Sequence, residues 1–152
     1  STGLPPKGWR IWIDADVVFT RDVTAFLPQL LPEGKALTYL GRKGHMRPGQ
    51  PAHSECGFVA YNCDIAKVRA MLLDMRAIYT TGRLFSLGKY NQHDSYVFDY
   101  CREHHHFGDG FLNNLSAHAR PNETHVWPSS LLGKFSEHYK GPRRKAAAYG
   151  RT

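Results

Sequence analysis

The sequence predicts an α/β fold, a mixed sheet flanked by helices, and three features carry that expectation. A β-branched and aromatic run opens the chain in "GWRIWIDADVVF", and two shorter runs of strand character follow at "ALTYL" (36–40) and "GFVAYN" (57–62). Segments with a helical period lie between and after them. Alternation of this kind builds a sheet covered by helices. At 152 residues the chain is most simply one domain, 1–152, which at that size buries about 70% of the surface its unfolded form exposes.

The elements follow in order. Ile11, Ile13 and Val17, with Trp12, Val18 and Phe19 among them, read as a strand buried on both faces. "VTAFLPQLLPEG" is a short helical turn compromised by Pro28 and closed around Pro32 and Gly34. After the two further strands, Ile65, Val68, Met71, Leu72, Met75, Ile78 and Tyr79 recur on one helical face, a core stripe with Asp64 as N-cap and Gly82 as stop. A second helix is expected from about His93 to Glu103, with Tyr96, Val97, Tyr100 and Cys101 inward. "HHHFGDGFLNNLSAHARPNE" reads as a long loop. The remainder has no sustained period: a brief apolar element leads to a basic tail, about 140–152, with Lys140, Arg143, Arg144, Lys145 and Arg151.

Composition narrows the function. Twenty Lys and Arg face 13 Asp and Glu, and a positive surplus favours anionic partners: nucleic acid, acidic surfaces or phosphorylated small molecules. Cys56, Cys63 and Cys101 are odd in number and lack a Cys-x-x-Cys pair, which argues against a disulfide framework or a thiolate zinc site and for a reducing, cytoplasmic setting. Cys63 and Cys101 are expected to be small buried apolar groups. No apolar run approaches the ~20 residues of a membrane span, and no signal-peptide core opens the chain. His104 to His106 point in different directions from a helix end and are expected to be solvated rather than to share an ion.

The chemistry concentrates at Asp14 and Asp16. Two residues apart on an extended strand, they face one side, with Ala15 small enough for close approach. Carboxylates so placed hold a hard divalent cation such as Mg2+ or Mn2+ against phosphates. Near the other end, "SEHYKGPRRK" sets His138 beside Gly141 and the cations Lys140, Arg143, Arg144 and Lys145, an imidazole ligand followed by groups that neutralise a diphosphate.

"WIDADVVF", "SECGFVAYN", "NQHDSYVFDY" and "HYKGPRRK", in that order, resemble the metal-dependent glycosyltransferases of the GT-A fold, especially their glycogenin-like and galacturonosyltransferase-like branch. The resemblance spans most of the chain. It implies that Asp14, Asp16 and His138 hold Mn2+ or Mg2+, and that the partners are a nucleotide-sugar donor and an acceptor whose identity is open. It also implies that Lys140, Gly141, Arg144 and Lys145 meet the diphosphate, with arginine at 144 where the family's His-x-x-Gly-x-x-Lys motif has lysine. Glu55, Cys56 and Gly57 match the Asn-Ala-Gly segment that lines the donor sugar, departing from it at the first two positions. Asp94 matches the acidic segment near the anomeric centre, and as a catalytic or acceptor-binding group it competes with a simpler role, capping the helix it opens. Almost nothing precedes Asp-x-Asp here, so the GT-A-like fold is expected to lack most of its N-terminal nucleotide-binding half.

Two other classes compete. A haloacid-dehalogenase-like phosphatase also opens on an apolar strand ending Asp-x-Asp, with Asp14 as nucleophile and Asp16 as acid/base, and "FGDGFLNN" resembles its later acidic motif, although "EHHH" is a poor buried strand before it. A basic nucleic-acid-binding module would use the tail cations with Trp127 and Tyr139. No nucleic-acid motif accompanies them, so nucleic acid is not the expected partner.

Overall fold

A computed structural model of the chain describes residues 7–42, 52–88, 91–119, 123 and 125–140. Gly141, Arg143, Arg144, Lys145 and Arg151 therefore lie outside the described residues. The opening apolar run folds as two strands, β1 (Trp9–Ile13) and β2 (Val17–Phe19), which belong to different sheets. Between them the Val17 N–H donates to the Asp14 carbonyl (3.1 Å), a turn with aspartate at its first position, where that residue is favoured. The expectation of one strand buried on both faces is corrected. β1 lies at the edge of its sheet and Trp12 is 59% exposed, because β-branched composition specifies extended backbone while burial depends on what packs against it.

The main sheet is built on β4 (Glu55–Asn62), buried along nearly its whole length. It pairs antiparallel with β1 on one side and with β3 (Leu37–Leu40) on the other, and β5 (Leu112–Asn114) adds in parallel to β3, giving the order β1-β4-β3-β5. β5 corrects the expected long loop. Three residues rich in asparagine carry no alternation to read, and the strand is held by contacts from afar: the Leu115 N–H donates to the Tyr39 carbonyl (2.9 Å) and Asn113 Nδ2 to Thr38 Oγ1 (3.1 Å). β2 pairs separately with β6 (Ser136–His138).

Helix α1 (Leu27–Leu30) keeps Pro28 within its first turn, where a missing N–H costs nothing. Helix α2 (Ala66–Thr80) buries Val68, Met71 and Ile78, with Ile65, Leu72 and Met75 partly buried against the same core, whereas Tyr79 from the expected stripe is exposed; Gly82, at φ +76°, follows its last turn. Asp64 is not its cap: Ile65 holds that position, and Asp64 Oδ1 instead accepts the Gly8 N–H (3.2 Å). Helix α3 (Asp94–His104) buries Val97, Phe98, Asp99 and Cys101, whereas Tyr100 faces outward, contrary to expectation. His105 is not left to solvent, since its Nε2 lies 2.7 Å from Asp74 Oδ2 on α2.

α2 and α3 cover one face of the sheet, packing on Val59, Tyr61 and Cys56. α1 and the segment carrying Val126, Trp127 and Phe135 cover the other, packing on Leu40, Phe58 and Ala60. The two sets do not alternate simply along β4. Tyr39 pairs with Val59 but Leu40 with Glu55, and this irregularity between 55 and 59 shifts which residues face which layer. All three cysteines are free and buried. Among the described residues no helix is long and apolar enough to cross a membrane.

Candidate metal centre

Pairing of β2 with β6 sets Val17 opposite His138, and the Tyr139 N–H donates to the Asp16 carbonyl (3.0 Å). Two segments more than a hundred residues apart in sequence thus become neighbours. On the other side of the turn, the Asp14 N–H donates to the Gly57 carbonyl (3.0 Å), which pins Asp14 to β4. His138 Nε2 consequently lies 3.1 Å from Asp16 Oδ1 and 3.5 Å from Asp14 Oδ2. One potential ligand atom from each of the three residues falls within 4.8 Å of the others. The imidazole is buried and the two carboxylates are partly exposed, so the cluster is closed on its histidine side and open on its acid side. Trp12 Nε1 donates to Asp14 Oδ1 (3.2 Å).

The other ring nitrogen of His138 meets a third acid. Its Nδ1 is 3.2 Å from Glu55 Oε1, and the same oxygen lies 2.8 Å from His125 Nδ1 and 3.4 Å from Lys140 Nζ. Glu55 Oε2 accepts the Val126 N–H (3.3 Å). Burial by itself pushes the Glu55 carboxyl up, but hydrogen bonds to His125 and His138 and the charge of Lys140 outweigh it and hold the group well below the ordinary carboxylate range. The imidazole ring packs 4.8 Å from Trp127 and directly over Gly57. A Cβ at position 57 would come within 2.6 Å of His138 Cε1, so the ring's place exists only because the residue there has no side chain.

The sequence-derived residues are distributed as follows. Asp14, Asp16 and His138 come together, through a turn rather than through the extended strand that would have put both acids on one face. Glu55, expected at a donor sugar, is 0% exposed and reaches the cluster through His138. Cys56 is buried toward the helix layer, where burial and the charge of Asp94 push its thiol up to about 12. Gly57 supports the imidazole. Asp94 is the first residue of α3 and exposed, its Oδ1 accepting the Ser95 N–H (2.8 Å), while His93 caps the helix by accepting the Tyr96 N–H on Nδ1 (3.2 Å). Lys140 pairs with Glu55. Gly141, Arg144 and Lys145 lie outside the described residues. His125 was missed, for its only local signal is a single histidine ahead of Val126 and Trp127 in a stretch without periodicity.

Two carboxylates and one imidazole form a donor set that could hold a divalent metal ion. The charge balance agrees: Asp14, Asp16 and Glu55 surround one imidazole, with Lys140 the cation paired to the cluster. A cavity of about 440 Å³ lies beside His138, lined also by His125, Trp127 and Tyr139. A separate cleft of about 530 Å³ opens beyond the ends of β3 and β5, and there Asp109, from "FGDG", lines the wall with Asp99 and Arg102. Compared with protein-family models, with curated proteins and with solved structures, the chain matches none.

Proposed function

We propose that this chain is a metal-dependent glycosyltransferase domain of GT-A type that transfers a sugar from a nucleotide-sugar donor to an acceptor. The observation that carries the reading is the convergence of Asp14, Asp16 and His138, drawn from the two ends of the sequence. Asp14 and Asp16 would offer oxygen ligands and His138 its Nε2. Mn2+ or Mg2+ held there supplies positive charge against the nucleoside diphosphate as the sugar leaves. Lys140, half exposed and 3.4 Å from Glu55, would add a further cation toward an anionic donor. Asp94, exposed at the start of α3, is the carboxylate proposed to meet the acceptor. Three unpaired buried cysteines suit the reducing, cytoplasmic setting that is part of the proposal.

The phosphatase reading has no comparable support, because Asp109 lines the separate cleft with Asp99. The test is a screen of nucleotide sugars for hydrolysis and transfer with and without Mn2+, run beside phosphate-ester hydrolysis on the same sample. Mn2+-dependent release of nucleoside diphosphate is the expected result. Phosphatase turnover with an aspartyl-phosphate trapped on Asp14, and no sugar release, overturns the reading.

A further inference from the structure

We propose that Glu55 is the positioning residue of the cation site, the buried carboxylate that fixes which nitrogen of His138 faces the ion. A metal-binding imidazole almost always donates the N–H of its other nitrogen to an acceptor, and that acceptor fixes both the tautomer and the ring's orientation. Glu55 Oε1 lies 3.2 Å from His138 Nδ1 and Asp16 Oδ1 3.1 Å from Nε2; with an ion between the two aspartates, the Nδ1 proton would go to Glu55 and the Nε2 lone pair to the ion. The ring cannot readily turn over. It lies between Trp127 and the bare backbone of Gly57, with a carboxylate at each nitrogen.

The brace is itself anchored. His125 Nδ1 holds the same Glu55 oxygen at 2.8 Å, and the Val126 N–H holds the other at 3.3 Å. Both donors come from the chain segment that covers this face of the sheet, so the orientation of His138 depends on that segment docking. Glu55, His125 and His138 also lie close enough together to suggest a second ion of their own. The charge they need is already present: the Lys140 ammonium is 3.4 Å from Glu55 Oε1, and a second cation there would have to displace it. The cluster is therefore a hydrogen-bonded support behind one ion site.

This inference rests on the cation-binding part of the proposed function and not on sugar transfer. The experiment measures Mn2+ affinity from the free-ion EPR signal for the wild type, Glu55→Gln, Glu55→Asp and Asp14→Asn, together with 15N spectra of the His138 ring with and without Mg2+. Glu55→Gln is expected to weaken Mn2+ binding about 10- to 100-fold and to shift the His138 ring signals, with Glu55→Asp recovering part of both. In the wild type, Mg2+ is expected to perturb Nε2 while Nδ1 keeps its proton, a readout that needs no variant to fold. Unchanged affinity and ring signals in folded Glu55→Gln, or Mg2+ perturbing Nδ1 instead, overturns the assignment. Zn2+ binding that survives Asp14→Asn but is lost in Glu55→Gln also overturns it, by making the support an ion site. No Mn2+ binding by the wild type fails the cation reading itself, an outcome distinct from these.

Discussion

Ser54 and Glu55 are neighbours on the chain that lead to two buried carboxylates in very different company. Toward the helix layer, Asp99 accepts the Ser54 N–H and hydroxyl, both at 2.7 Å, and pairs with Arg102 at 3.2 Å, whose guanidinium lies over the Tyr39 ring. There Asp99 meets two neutral donors, the His53 ring at 3.9 Å and one permanent cation, which also reaches Glu103 at 3.3 Å. On the other face, Glu55 shares His138 with Asp14 and Asp16, three acids around one imidazole, and Glu55 also meets His125 and Lys140. Burial of a carboxylate is common to both regions. What separates them is how many acids converge on one side chain, and negative charge gathered around partly exposed carboxylates is stabilised by a cation.

The comparison is broken most directly at the acids. Asp14→Asn or Asp16→Asn should reduce Mn2+ affinity and Mn2+-dependent turnover by more than about 100-fold, since a ligand is removed rather than its support. Full activity in either variant removes its assigned role. Gly57→Ala should weaken Mn2+ binding about 10-fold by driving a methyl against the imidazole, with equilibrium titration as the check. Asp99→Asn should act on stability alone, lowering the free energy of unfolding in urea by about 1–3 kcal/mol because Ser54 and Arg102 lose a buried charged acceptor. Its Mn2+ affinity should equal that of the wild type, and a loss there would erase the contrast between the regions.

Acid stability sharpens the same contrast. The Glu55 carboxyl is held below its unfolded value, so it contributes stability above the ordinary carboxylate range of about 4, and that contribution is lost as pH falls through the folded value. In metal-free protein, the contribution of the Glu55 charge to the stability gap between wild type and Glu55→Gln should hold from neutrality down to about pH 4 and shrink only below it, as followed by urea midpoints. The smallest effect concerns Cys56. Its buried thiol, pushed up to about 12, should resist iodoacetamide in native protein at pH 8 and react only after unfolding, as read by mass spectrometry.

Local pattern determined a good part of this protein. Most of the helical stripe read from Ile65 to Tyr79, the strands read at 36–40 and 57–62, which are β3 and the greater part of β4, and the candidate ligands Asp14, Asp16 and His138 were legible because each depends on residues a few positions apart or on side-chain chemistry alone. The α/β class and mixed sheet followed from the order of those elements. Tertiary structure alone decided that β1 lies at an edge with Trp12 exposed, that "LNN" forms a strand, that Glu55 is buried behind His138 and that His125 joins it. The physical reason is the range of the forces involved. β2, β5 and β6 have three residues each, too few for a period, and they exist because distant backbone groups satisfy one another's hydrogen bonds. That same long-range pairing, of Val17 with His138, turns two acids and a histidine into a site.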